Sequence, residues 1–260
     1  MTVHATAPIA TTAAAVPETG AALYVYGIAP EGVRTPRSPG VGGAPVRLLT
    51  ESGLCAAVSA TPPRLRPRRR DLMAHQAVLD ELAAQGPLLP MRFAVLSPRP
   101  DVLLSQLRCD AAHLARQLDG VRGCVELNVK GAVVPGSFAD LVRRDEKLRA
   151  LALRTRRRPD YEANVRLGEA LARAVRREAR RAAQEVLDHL TPLAVRTVGG
   201  PTDDEQVLSA SFLLRSADEP RFRQAVDACA RDHGDRLALS VTGPLPCYSF
   251  VDPSPAPAGR

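Results

Sequence analysis

The longest periodic pattern in the chain runs from Asp160 to Leu190. Leu167, Leu171, Ala174, Ala182, Val186 and Leu190 recur there at helical spacing. Glu162–Arg166 and Glu169–Arg173 are i,i+4 pairs in the favourable order. About 30 residues at ~1.5 Å each make a helix on the order of 45 Å, longer than a small domain needs. Its flanks narrow the fold. CVELNVKGAVV (124–134) alternates at period two, with Val125, Leu127 and Val129 on one face and Glu126, Asn128 and Lys130 on the other, the mark of a half-buried strand. Residues 139–158 read as helical and then basic. After Pro192 come two strand-like runs, LAVRTVG and LSASFLLRS, then a helix at 219–232 and a last strand, RLALSVTG (236–243). From Cys124 the order is β-α-β-β-α-β, the split βαβ or ferredoxin-like arrangement, in which two helices cover one face of an antiparallel sheet.

The first half reads β-ββ-α-β-α. AALYVYGIA (21–29) is dense in strand formers. A Gly/Pro-rich loop follows, then APVRLLT and LCAAVSATP, which the turn ESG joins into a hairpin. RLRPRRR (64–70) is a polar break. Asp71 reads as the N-cap of a helix over 72–85, stopped by Gly86-Pro87. LLPMRFAVLS (88–97) reads as a short strand. Asp101 opens a second helix to Leu118, closed by Gly120. The expected architecture is therefore α+β with two α/β domains. An N-terminal domain spans 21–120 and a ferredoxin-like C-terminal domain with a long helix spans 121–252, between tails at 1–20 and 253–260.

Length and composition agree with a soluble globular protein. With 260 residues, 45% hydrophobic and 24% charged, the chain can bury a core without disulfides or metals. No stretch approaches the ~18 uninterrupted apolar residues of a transmembrane helix. The first 20 residues lack the basic start and apolar core of a signal peptide. The five Cys are odd in number and contain no CxxC, which fits a reducing cytoplasm.

A search for chemistry is mostly negative. The sequence has no P-loop, no GxGxxG between strand and helix, no GxSxG and no HExxH. Gly40-Val41-Gly42-Gly43 precedes a strand and reads as a flexible turn. Cys109 and His113 stand at i,i+4 and make half a metal site at most, with a buried Cys beside an exposed His as the plainer reading. Asp71 and His75 share that spacing, and a local structural contact outweighs a catalytic dyad because no nucleophile is identifiable beside them. No catalytic group, metal site or cofactor is expected. The net charge is +7, and all but two of the cations, Lys130 and Lys147, are Arg. The runs RLRPRRR and RTRRRP (154–159) invite a nucleic-acid reading, but solvated loops are the commoner meaning of such runs. An RNA-recognition module needs sheet aromatics, and the chain has only 5 Phe and 4 Tyr, with no matching motif.

Three segments carry a family signature: YVYGIA (24–29), LLPMRFAVL (88–96) and VTGPLPCYSFV (241–251). In this order and spacing the chain resembles the GvpF/GvpL family of gas vesicle proteins over roughly residues 22–252. That family shows an opening Y-V-Y-G, a middle L-P-x-R-F-G and a closing G-P-W-P-P-Y-S-F-V. CVELNVK also looks like the family's glutamate-containing strand. The chain departs from the pattern at Leu245 in place of Trp, Cys247 in place of the second Pro, and Ala94 in place of Gly.

The resemblance implies a non-enzymatic accessory protein of gas vesicle assembly. It would be cytoplasmic or on the vesicle, and would bind the hydrophobic shell protein GvpA and other Gvp accessory proteins. Candidate contact surfaces are the closing segment Gly243–Val251 and the long helix, with Gly243, Pro244, Pro246, Tyr248, Phe250 and Arg92 as candidate partner-binding residues. Gly243-Pro244 is expected to end the last strand, and Pro246 to hold an extended path. The tail beyond would be an edge strand or lie across the domain interface. Arg92, at a strand entrance, is a candidate partner for Glu126. The alternative is a nucleic-acid-binding regulator using the Arg runs.

Overall fold

The computed structural model describes residues 22–134, 138–157 and 160–251. The tails expected at 1–20 and 253–260, and the end of the second Arg run, lie outside the described residues. The fold is α+β and contains two antiparallel sheets.

The first sheet is built around β1 (Leu23–Pro30), which is buried on both faces. On one side it pairs with β3 (Leu54–Ala60), and β2 (Arg47–Glu51) adds outside β3. The two-residue turn between β2 and β3 is Ser52-Gly53, with φ of 54° and 76°. Positive φ at both positions gives the hairpin a twist matching that of its strands. Between Val25 and Gly27 the register of β1 slips by one residue. Leu23, Val25 and Ile28 therefore share one core, while Tyr24, Tyr26 and Ala29 share the other.

Three local expectations change here. The first helix, α1 (Arg69–Ala83), starts earlier than the sequence suggested. Arg68 is its cap and Asp71 lies in the first turn, without a side-chain cap bond. The carbonyl of Arg68 already accepts from the amides of Asp71 and Leu72, at 2.9 and 3.0 Å. The apolar run 88–97 is two short strands, β4 (Leu89–Pro90) and β5 (Leu96–Ser97), both paired to β1. Pro90 has no amide to extend the ladder, and Ala94 turns the chain with φ of 71°. The second helix is bent at Asp110 (φ −100°, ψ 8°) into α2 (Pro100–Cys109) and α3 (Ala111–Gly120). Leu103, Leu107, Leu114 and Leu118 are all buried along this arm.

The second sheet holds β6 (Cys124–Val133), β7 (Arg196–Gly199), β8 (Gln206–Arg215) and β9 (Leu237–Leu245), in the order β7-β8-β6-β9. Between β6 and β7 run α4 (Phe138–Arg144), α5 (Glu146–Arg157) and the long α6 (Tyr161–Leu190). The side chain of Asp160 caps α6, accepting from the Ala163 amide at 2.6 Å. Both i,i+4 pairs on α6 form. Its second half packs on one face of the sheet beside α7 (Glu219–His233). Ala182, Val186, Leu190, Phe222 and Val226 meet Leu127, Val129 and Phe212 there.

The opposite face of this sheet does not meet solvent at its upper end. Leu213 of β8 joins Leu23, Val25 and Ile28 of β1 in one core, together with Cys247 and Phe250 of the closing segment. Glu126, expected on a solvated face, is consequently 1% exposed.

Candidate functional site: where the three motif segments converge

The three signature segments, far apart in sequence, meet beside β1. The opening strand supplies Tyr24 and Tyr26, packed at 4.8 Å between ring centroids. Gly27 lies against the middle segment. A Cβ there would stand 2.9 Å from the Leu89 carbonyl oxygen and 3.0 Å from a Leu88 methyl, so this contact needs glycine. The Met91 amide donates to the Tyr26 carbonyl at 2.8 Å.

His75 of α1 locks the turn that follows. Its Nδ1 lies 2.9 Å from the Tyr24 hydroxyl and its Nε2 lies 3.1 Å from the Met91 carbonyl. A carbonyl only accepts, so Nε2 carries the proton and Nδ1 accepts from Tyr24. The Tyr24 oxygen in turn accepts from the Ala94 amide at 3.1 Å. Phe93 packs edge-on against both Tyr24 and His75. Burial pushes the His75 pKa down, and it pushes the Tyr24 hydroxyl well above its ordinary range. Each group is therefore held in its neutral form. His75 thus bonds Tyr24 and Met91 rather than Asp71, and its role in this network is structural.

The closing segment is clamped along its whole length. Gly243 and Pro244 do not end the last strand. They form a slip within β9, where Glu126 pairs with Leu245 and Asn128 with Thr242. Gly243 has φ of 130°, and a Cβ on it would stand 2.6 Å from a Leu127 methyl and 2.7 Å from the Glu126 carbonyl oxygen. Arg223 of α7 donates to the Gly243 carbonyl at 2.6 Å. After buried Pro246, the chain makes a short 3-10 turn over Tyr248–Phe250. The Ser249 amide and hydroxyl donate to the two carboxylate oxygens of Glu126, at 2.8 and 2.7 Å. The Ser211 hydroxyl donates to Asn128 Oδ1 at 2.7 Å, and its oxygen lies 2.9 Å from that of the Ser249 hydroxyl. The Arg196 guanidinium lies 5.5 Å above the Phe250 ring, an attractive cation–π placement. Tyr248 reaches Gln76 of α1 at 3.4 Å.

Arg92 is exposed, and its guanidinium pairs with no acid among the described residues. The expected Arg92–Glu126 pair does not form: Glu126 is buried and accepts from Ser249, while Arg92 is exposed. Of the six candidate residues, Phe250 and Pro246 are buried, Tyr248 and Gly243 are half-buried, and Pro244 and Arg92 are exposed. The Cys247 thiol is also enclosed. Burial raises its pKa to about 12, with the Glu126 carboxylate adding to the effect.

Elsewhere the sequence candidates separate. Cys109 and His113 are both exposed, against the expectation of a buried Cys. Among the described residues no group of His, Cys, Asp and Glu is placed to hold a metal ion. No helix of the described residues is long and apolar enough to cross a membrane. The five Arg of residues 64–70 are all exposed. The Glu126–Ser249 latch joins two motif strings visible in the sequence, CVELNVK and YSFV, but no spacing rule connects residues 123 positions apart.

The family model described as gas vesicle synthesis protein GvpL/GvpF matches residues 22–252. Gas vesicle protein F of Streptomyces sp. (strain CB03234) is 38% identical over 242 residues, covering 88% of this chain and 99% of that protein. Gas vesicle protein L of the same strain is 30% identical, covering 88% and 92%. The crystal structure of GvpF from Anabaena sp. PCC7120 superposes with a TM-score of 0.73 at 23% identity, covering 90% of this chain and 99% of that one. GvpF from Microcystis aeruginosa gives 0.70 at 22% identity, covering 88% and 98%. With its signature segments gathered into one clamped corner and the match running through nearly every described residue, the chain belongs to the GvpL/GvpF family of gas vesicle proteins.

Proposed function

We propose that this protein is a non-enzymatic accessory factor of gas vesicle assembly that binds the shell protein GvpA and other Gvp accessory proteins. The observation that carries the reading is the family match over residues 22–252. The physical rationale is general. A small shell subunit with exposed apolar surface and free strand edges aggregates unless a partner covers it before assembly. A chaperone- or nucleation-like role in the cytoplasm, or at the vesicle, answers that need.

Of the six candidate residues, Pro244, Arg92 and the half-buried Tyr248 are the ones open to a partner. Pro246 and Phe250 would act through the fold, by holding the signature corner in shape. We also read the chain as two domains divided near residue 121, the second of ferredoxin-like type. The strand order β7-β8-β6-β9 with helices on one face supports that reading.

The test is co-expression of the tagged protein with GvpA and the remaining accessory proteins. Truncation before Gly243 would remove Cys247 and Phe250 from the core, so single substitutions are the sounder comparison. Wild type is expected to retain GvpA, and Arg92→Glu to retain less while melting at the same temperature. Absence of GvpA from the wild-type eluate, with every accessory protein present, overturns the proposal.

A further inference from the structure

The stretch that leads into α1 and the first turns of that helix form a surface that the signature corner does not use. Arg64, Arg66, Arg68 and Arg69 are exposed, and none of them pairs with an acid among the described residues. Arg70 alone has a carboxylate within reach, Asp71 at 3.7 Å. The segment has a fixed turn, since the Arg68 amide donates to the Arg66 carbonyl at 2.7 Å across Pro67. Immediately after the cations, Leu72 and Met73 are left 42% and 60% exposed. They stand one turn before Gln76, which meets Tyr248. A cationic ledge thus borders two adjacent exposed apolar side chains in the first turns of α1, one turn before the residue that meets the closing segment.

From this juxtaposition we propose that Arg64–Arg69 with Leu72 and Met73 form a docking surface for an acidic amphipathic helix of a partner protein. Charge complementarity selects the occupant. Unpaired guanidiniums are satisfied best by carboxylates, in charge-assisted bonds. Leu72 and Met73 call for apolar side chains on the same partner, and Met adapts readily to such a surface. An apolar helical face flanked by acids supplies both. Single-stranded nucleic acid would need exposed rings to stack on, and the rings of the neighbouring corner, Phe93 and Tyr248, are half-buried. The proposal rests on the accessory-protein reading only for the expectation that a protein partner exists.

Fluorescence anisotropy with the full chain tests it. The probe is a labelled helical peptide with a leucine face and a glutamate face. The controls are the same peptide with lysine for glutamate, oligothymidylate, and phosphatidylserine vesicles. The acidic peptide is expected to bind, and its affinity to fall about tenfold in Arg66→Ser/Arg68→Ser/Arg69→Ser and again in Leu72→Ser/Met73→Ser. All five residues are exposed, and an unchanged melting temperature verifies the fold of each variant. Equal affinity in the Leu72/Met73 variant overturns the proposal, as does tighter binding of the oligonucleotide or the vesicles. The peptide titration does not involve GvpA. GvpA capture alongside a peptide result insensitive to Leu72 and Met73 therefore strikes this surface alone. Intact peptide binding with no GvpA capture strikes the assembly reading alone.

Discussion

Ser249 donates two hydrogen bonds, from its amide and its hydroxyl, to the two carboxylate oxygens of Glu126, a side chain that is 1% exposed. The pair ties the closing turn to the first strand of the second sheet. A buried carboxylate is costly unless such donors satisfy it. A hydrogen bond to a charged group contributes about 1.5–3 kcal/mol. Ser249→Ala is accordingly expected to lower unfolding free energy by about that amount, and Ser249→Thr, which keeps the hydroxyl, to lose much less. Urea denaturation measures both. A loss in Ser249→Ala no larger than that in Ser249→Thr would show that the hydroxyl contributes nothing.

Ala94 occupies a left-handed turn with φ of 71°, where its methyl crowds the backbone. The GvpF/GvpL motif has glycine at the matching place. Ala94→Gly is expected to stabilise the protein by up to about 1 kcal/mol, the relief of strain exceeding the added freedom of the unfolded chain. Ala94→Val should go the other way by more. Thermal melting decides, and a lower melting temperature for the glycine variant would refute the strain argument.

Much of this fold is legible in the sequence, and the misses share a cause. The alternation of residues 124–133 and the long helix depend on neighbours within a few residues, and each forms as its pattern suggests. The ESG hairpin does too, because its turn chemistry is local. Glu126 defeats the reading, since period two says only that it opposes Leu127, and not that a segment 123 residues later covers that face. His75 fails in the same way. Spacing drew it to Asp71, while its partners came from β1 and from the turn after β4. The break of 88–97 into two strands was signalled by Pro90, and the departure at Ala94 marks the turn itself. The site's parts were visible as motifs, and only the fold brings them together.

His75 gives the stability a defined pH dependence. Burial lowers its pKa below that of the unfolded chain, which is about 6.5. Below that value the unfolded state binds the extra proton more readily. The His75 contribution is therefore complete above about pH 6.5 and is lost as pH falls toward the depressed folded pKa. Protonation would also force Nδ1 to donate, ending its acceptance from Tyr24. His75→Gln is expected to be less stable at neutral pH and to flatten the fall in melting temperature between about pH 6.5 and 5. Parallel curves for the two proteins would exclude His75 as the titrating group.

Cys247 offers a readout of whether the closing segment stays seated. Its side chain is 4% exposed and its pKa is pushed up to about 12 by burial, so it is protected both sterically and by the scarcity of thiolate. Cys109 is exposed and serves as the internal standard for a thiol reagent. In the native protein Cys109 is expected to label readily and Cys247 only slowly. Gly243→Ala places a methyl against the Glu126 carbonyl and a Leu127 side chain, at a φ of 130° that alanine rarely adopts. The segment must shift to relieve that clash, and Cys247 lies four residues downstream. Its labelling rate, followed by mass spectrometry of peptides, should rise by at least about tenfold relative to Cys109. The Ser249→Ala variant should give a smaller rise, since Phe250 and Arg223 still hold the segment. Should Cys247 remain as protected in Gly243→Ala as in the native chain, the glycine would not be what seats the segment, and the clamp from Glu126 and Arg223 would suffice without it.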